Sequence, residues 1–312
     1  CDILSWCNEH MEITLLKLSD GRSLEVATAG SPSGEAVVFH HGTPGGSSAW
    51  DDWIESVAAN GGFGIAYSRA GYGSSSRKAG RSVVSNTADI AEILTHFGIE
   101  RFVSVGWSGG GPHALADTTL PASAGAITIA GVGEYGANDL DFLDGMGPEN
   151  HDEFGAALQG EESLEHWMEH NTDGLSTLSG DQVIDAFGGL IGDADKRALT
   201  AEVAEHMALG FQQALRTGYY GWMDDDFAFV QPWGFEIGDI RVPVEIWQGN
   251  DDFMVPHAHG IWLEKHIPTA KLHFVAGEGH MIRRMGNEIS GESRDHLGFM
   301  DAATVEPPRG KA

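Results

Sequence analysis

The run Gly106-Trp107-Ser108-Gly109-Gly110 constrains this 312-residue chain more than any other feature. It follows an apolar segment at 101–105 and precedes a helix-like one at 112–118. A serine set among glycines at a strand-to-helix junction reads as a sharp turn. The backbone there is too crowded for neighbouring side chains, and the hydroxyl is lifted above the sheet. Such a unit needs a parallel sheet around it, with helices crossing between strands.

The rest of the chain fits that demand. Short apolar runs at 36–39, 63–67, 102–105, 126–130, 244–247 and 272–275 alternate with helical patterns, which predicts parallel strands joined by crossover helices. Val83, Ile90, Ile93, Leu94 and Phe97 recur at helical spacing, and Gly98 follows as a C-terminal cap. Residues 11–30 read as two short strands around the turn Asp20-Gly21. The alternation breaks after Gly131, where no convincing strand appears and a helix is expected over 194–216 behind the capping candidate Asp193. From Gly131 to Ile240 there are 23 acidic residues against Lys196, Arg197 and Arg216, a net −20 out of −28 for the chain. The expected organisation is an N-terminal extension at 1–10, an α/β core at 11–130 and 240–300, a helical acidic cap at 131–239 and a tail at 301–312.

A net charge of −28 repels phosphate backbones and anionic bilayers, so neither nucleic acid nor membrane is an expected partner. The only cysteines, Cys1 and Cys7, cannot staple the body or build a Cys-rich zinc site. Residues 1–10 lack the basic start and apolar stretch of a signal peptide, and no apolar run is long enough to span a bilayer; a cytoplasmic location is expected.

A serine hydroxyl is a poor nucleophile at neutral pH. It needs a histidine to take its proton and a carboxylate to hold that histidine in the right tautomer. His280, in Gly277-Glu278-Gly279-His280, follows one strand candidate, and Asp252, in Gly249-Asn250-Asp251-Asp252, follows another. Open α/β sheets gather their sites along that edge. Asp251 is the rival acid. Two backbone N–H groups are needed for a developing oxyanion: Gly109, directly after the serine, and Thr43 in His40-His41-Gly42-Thr43-Pro44-Gly45-Gly46. Trp107, beside the serine, is the candidate pocket wall.

With the order Ser108, Asp252, His280 and the loop at 41–46, the chain resembles the α/β-hydrolase superfamily from Met11 to about Phe299. Within it the chain is similar to the branch of serine-nucleophile esterases and proline iminopeptidases. The resemblance implies an α/β-hydrolase fold, a mostly parallel sheet flanked by helices with an inserted helical cap. It favours Asp252 over Asp251, through the spacing from Gly249 and the following Val255-Pro256. It implies cleavage of a carboxylic ester through an acyl-enzyme, with no metal or organic cofactor, in a monomer or homodimer. The substrate is expected to be a small molecule, neutral or cationic given the acidic cap. Alternatives on the same machinery are an aminopeptidase of the proline iminopeptidase type and a cofactor-free perhydrolase or lyase. The contrasting class is a ligand-binding receptor, which superfamily members with little turnover exemplify. One departure stands out: Ser68, opening Ser68-Arg69-Ala70-Gly71-Tyr72-Gly73-Ser74-Ser75, replaces the aspartate usual in that turn.

Two further patterns read as coincidences. Gly131-Val132-Gly133-Glu134-Tyr135-Gly136 satisfies G-x-G-x-x-G, but Glu134 and the acidic stretch 139–144 would repel a pyrophosphate. His166-Trp167-Met168-Glu169-His170 reads H-x-x-E-H, yet zinc would need a third ligand.

Overall fold

Which strands lie inside the sheet follows from which are apolar on both faces. The computed structural model describes residues 11–282; Cys1, Cys7, the 1–10 extension, the 301–312 tail and the end of the 240–300 core segment lie outside them. Strands β1 (Met11–Lys17) and β2 (Ser23–Gly30) pair antiparallel around Asp20-Gly21, with Met11 opposite Ala29. Next come β3 (Ala36–His40), helix α1 (Asp51–Ala59), β4 (Phe63–Tyr67), α2 (Thr87–Phe97), β5 (Phe102–Trp107), α3 (Gly110–Ala116) and β6 (Ser123–Ile129). After a helical stretch, β7 (Val244–Gly249), α10 (Ala258–His266) and β8 (Ala270–Val275) complete the sheet. The order is β1-β2-β4-β3-β5-β6-β7-β8, parallel from β4 to β8 and antiparallel at β1 and β2.

Strands β3, β4 and β7 are buried along their whole length, as parallel strands between two helical layers must be. Alternation sorts their side chains. Val37 and Phe39 pack with Trp50, Ile54 and Val57 around α1, whereas Ala36 and Val38 pack with Ile90, Ile93 and Leu94 of α2. Helix α2 ends at Gly98, whose φ of 70° is the left-handed conformation a helix C-cap favours. Each of the six apolar runs lies within or overlaps a strand, with β6 and β8 starting earlier than the apolar pattern indicates.

Between β6 and β7 the chain is helical: α4 (Pro148–Gln159), α5 (Glu161–Asn171), α6 (Val183–Phe187), α7 (Asp193–Ala198), α8 (Ala201–Ala214) and α9 (Tyr220–Phe229). The single helix expected over 194–216 is instead two. The break falls at Leu199-Thr200, where extended backbone lets the Thr200 hydroxyl accept from the Val203 amide at 3.4 Å. Thr200 therefore caps α8, and Asp193 is the first residue of α7. Nor is all the acidity of this stretch on its surface, since Glu153, Asp195, Asp224, Asp225 and Asp226 are buried. No described helix is long and apolar enough to cross a membrane.

Glu153 of α4 and Asp226 of α9 are both buried and close enough to act on each other's charge, and the Trp222 indole N–H donates to Glu153 Oε1 at 2.6 Å. Burial pushes the Glu153 carboxyl up to about 7. Burial, then the charge of Glu153, pushes Asp226 well above the carboxylate range. Both pKa values are higher folded than unfolded, so the stability they contribute is present at low pH and lost as pH rises from the ordinary glutamate range through about 7. Glu153→Gln keeps an acceptor for Trp222. It is expected to gain about 1–3 kcal/mol over wild type at pH ~8 relative to pH ~5, read by thermal unfolding at both pH values. An equal difference at the two pH values would refute the pairing.

Candidate active site

The C-terminal ends of four of the parallel strands carry the candidate residues. Thr43 follows β3, Ser108 follows β5, Asp252 follows β7 and His280 follows β8. Ser108 has φ 55°, one of two non-glycine residues in the described chain with a positive φ. Such a conformation is costly for an L-residue, and the surroundings over-determine it. The Ser108 amide donates to the Ile129 carbonyl at 2.8 Å, and its carbonyl accepts from Gly111 at 2.9 Å. A Cβ on Gly106 would strike the Gly110 carbonyl, and one on Gly110 would strike the His40 carbonyl. The turn thus requires its glycines for close approach, as the sequence pattern implied.

His280 and Asp252 are buried and bonded to each other, Nδ1 to Oδ2 at 2.9 Å. The Asp252 Oδ1 accepts from the amides of Met254 and Val255 at 2.9 and 2.8 Å, while Gln248 Nε2 donates to Oδ2 at 3.3 Å. With Nδ1–H committed to the carboxylate, Nε2 is the nitrogen left to accept a proton. Burial alone would lower the pKa of this imidazole, but the charge and hydrogen bond of Asp252, with the charge of Asp195, hold it above the ordinary histidine value. Asp251, the rival acid, is exposed, and its amide bonds the Glu278 carbonyl at 3.0 Å. Trp107 packs its ring 5.2 Å from that of His280 and donates its indole N–H to the His280 carbonyl at 3.2 Å.

The loop bearing Thr43 is oriented from beneath by Arg69. This fully buried guanidinium donates to the carbonyl of His41 and, at 3.0 Å, to that of Gly42; the Arg69 amide donates to His41 Nε2 at 3.0 Å. His41 Nδ1–H in turn donates to the Gly42 carbonyl at 2.7 Å, which fixes a neutral tautomer. Burial, reinforced by the charge of Arg69, holds the His41 pKa well below its ordinary value. Because a trans peptide sets C=O and N–H on opposite sides, drawing the Gly42 carbonyl toward Arg69 turns the Thr43 amide away from it. Gly42 itself lies against the Trp107 ring and the Ser108 side chain, and Gly109 lies against Thr43 and the Phe229 ring. The two candidate amide donors, Thr43 and Gly109, are therefore neighbours.

Arg69 is held by Asp225 of α9. The Asp225 carboxylate also meets Arg81 at 2.5 Å, the Tyr72 hydroxyl at 2.8 Å and the Thr43 hydroxyl at 2.9 Å, with His113 at 3.5 Å. Burial would raise this carboxyl, but the two guanidinium charges keep it well below the carboxylate range. Neither Asp225 nor Arg69 was singled out from sequence. The available signal was three consecutive aspartates, 224–226, inside an otherwise apolar helix. The substituted turn has its own answer: Ser68 accepts from the Ser47 amide at 3.0 Å and donates to Glu25 at 2.8 Å. A carboxylate from β2 thus serves the turn that lacks its aspartate, and Glu25 also bonds Gln213, Arg216 and the Ser74 amide.

Residues 35–118 match the family model described as alpha/beta hydrolase fold. The chain is 35% identical over 94 residues to a non-heme haloperoxidase of Rhodococcus erythropolis, covering 30% of this chain and 34% of that protein. It is 34% identical over 116 residues to a proline iminopeptidase of Xanthomonas citri, covering 35% and 36%. The matched stretches thus span about a third of these two relatives' length. Among solved structures, an esterase from Rhodococcus sp. ECU1013 superposes with a TM-score of 0.61 at 22% identity, covering 86% of this chain and 91% of the other.

Removing Asp225 would leave Arg69 and Arg81 buried without their counter-charge. Asp225→Ala is expected to cost about 3–5 kcal/mol in denaturant unfolding. Asp224→Ala, which frees the partly exposed Arg77, is expected to cost about 1 kcal/mol or less. Equal costs would mean that Asp225 does not carry this junction.

Proposed function

On the α/β-hydrolase fold that this chain adopts, we propose a serine hydrolase that cleaves a carboxylic ester of a small molecule through an acyl-enzyme. The observation that carries this reading is the buried Asp252–His280 pair at 2.9 Å, in the neutral tautomer a general base requires, at the strand edge where Ser108 is held at φ 55°. His280 Nε2 takes the Ser108 proton as Oγ attacks the acyl carbon, and Asp252 stabilises the imidazolium that forms. The amides of Gly109 and Thr43 donate to the developing oxyanion. His280 then returns the proton to the leaving alcohol and activates a water against the acyl-enzyme. Trp107 forms one wall of the acyl pocket, and the helices over 131–239 act as a cap over the strand edge. The likeness to a proline iminopeptidase supports a second reading, amide cleavage at an amino terminus, which a matched ester and amide panel separates.

Ser108→Ala is expected to lower ester turnover by about 10⁴-fold or more with the circular dichroism spectrum unchanged; an enzyme retaining most of its rate would end the assignment. Asp252→Asn is expected to slow turnover by on the order of 10³- to 10⁴-fold and Asp251→Asn by less than about threefold. In wild type the acid limb of kcat/KM is expected to have its midpoint above the ordinary histidine value of 6.5, because the base must be neutral and its pKa is raised. A midpoint at or below that value would contradict the buried pair.

A further inference from the structure

We propose that Asp195, carried on α7 between β6 and β7, is a positioning residue for His280: its carboxylate anchors the Gly279–Met281 backbone and sets a second negative charge beside the imidazole. The inference rests on the reading of His280 as the base, and extends it to a residue 85 positions away in sequence. The Asp195 side chain is fully buried. Its Oδ1 accepts the Met281 amide at 2.9 Å. A Cβ on Gly279 would overlap both carboxylate oxygens, so the acid lies directly on the peptide that leads into His280. Only glycine permits that approach.

The second oxygen carries the argument further. Oδ2 is buried with no hydrogen-bond partner among the described residues. A buried carboxylate oxygen left without a donor costs free energy unless a nearby cation offsets it. The charged side chains that act most on Asp195 are His280 and Asp252. Asp252 repels, while the His280 amide and the imidazolium formed during proton transfer both stabilise the carboxylate. Burial raises the Asp195 carboxyl, and the Met281 amide and His280 draw it back. Asp195 in turn contributes to the elevation at His280. Its contact with the reacting atoms is indirect: it acts through the histidine loop and through charge.

Two readouts test this in the full chain. The first is the His280 imidazole titration followed by NMR in isotopically labelled protein, and the second is the pH profile of ester turnover. Asp195→Asn keeps an acceptor for Met281 but removes the charge. It is expected to lower both the NMR midpoint and the acid limb by about half to one pH unit, with kcat on the alkaline plateau within about threefold of wild type. Asp195→Ala also frees the loop, and is expected to reduce kcat by about ten- to a hundredfold while KM changes less than about threefold. If Asp195→Asn leaves the NMR midpoint unmoved, the proposal is overturned, whether or not the alanine variant folds. If the midpoint moves while Ser108→Ala keeps its activity, the positioning stands and the serine reading falls.

Discussion

A carboxylate without access to water, Asp225, holds the Thr43 loop and α9 together. Its charge survives burial because Arg69 and Arg81 meet it directly, with Tyr72 and Thr43 donating. Arg69 then spends its remaining donors on the carbonyls of His41 and Gly42. Removing either charge would expose the other's desolvation penalty, so the cluster holds as a unit. The direction of one loop amide is thereby fixed by an ion pair rather than by the loop's own sequence.

The buried histidines show how environment separates residues of one type. Burial lowers the pKa of His41 and brings His113 to about 3 and His259 to about 4, which keeps all three neutral; His41 and His259 act as fixed hydrogen-bonding parts. His280 is as buried as His113, yet its pKa rises, because it alone of these four bonds an aspartate through Nδ1 and has a second acid close by. At His280 the two acids outweigh burial, whereas at His113 burial and the charges of Arg69 and Arg81 outweigh Asp225.

The strands and the serine turn were legible because they depend on local pattern: apolar runs of four or five residues, and glycines where a Cβ would meet a carbonyl. The pairing of Asp252 with His280 followed from order along the chain and the position of each at a strand end. Other features escaped because their causes lie far away in sequence. Nothing near Ser68 announces that Glu25, 43 residues earlier, supplies the carboxylate. Nothing in the periodicity of 194–216 marks the break at Thr200, where a side-chain oxygen competes with helix propagation. The aspartates of α9 read as surface charge until their partners on other elements are known.

The rigid anchoring of α9 has a consequence for how such a chain diversifies. Ala156, Ala157, Leu164, Met168, Ala214 and Met223 pack mainly against other helices of the same stretch, so a change at one can be met by a change at another. Asp225 differs, because its counter-charges, Arg69 and Arg81, belong to the segment between β4 and α2. A foreign helical segment spliced between β6 and β7 would have to present an acid at this point, or arrive together with uncharged replacements for both arginines. Recombination at that boundary is therefore restricted by an electrostatic match, one that no change within the helical stretch alone can satisfy.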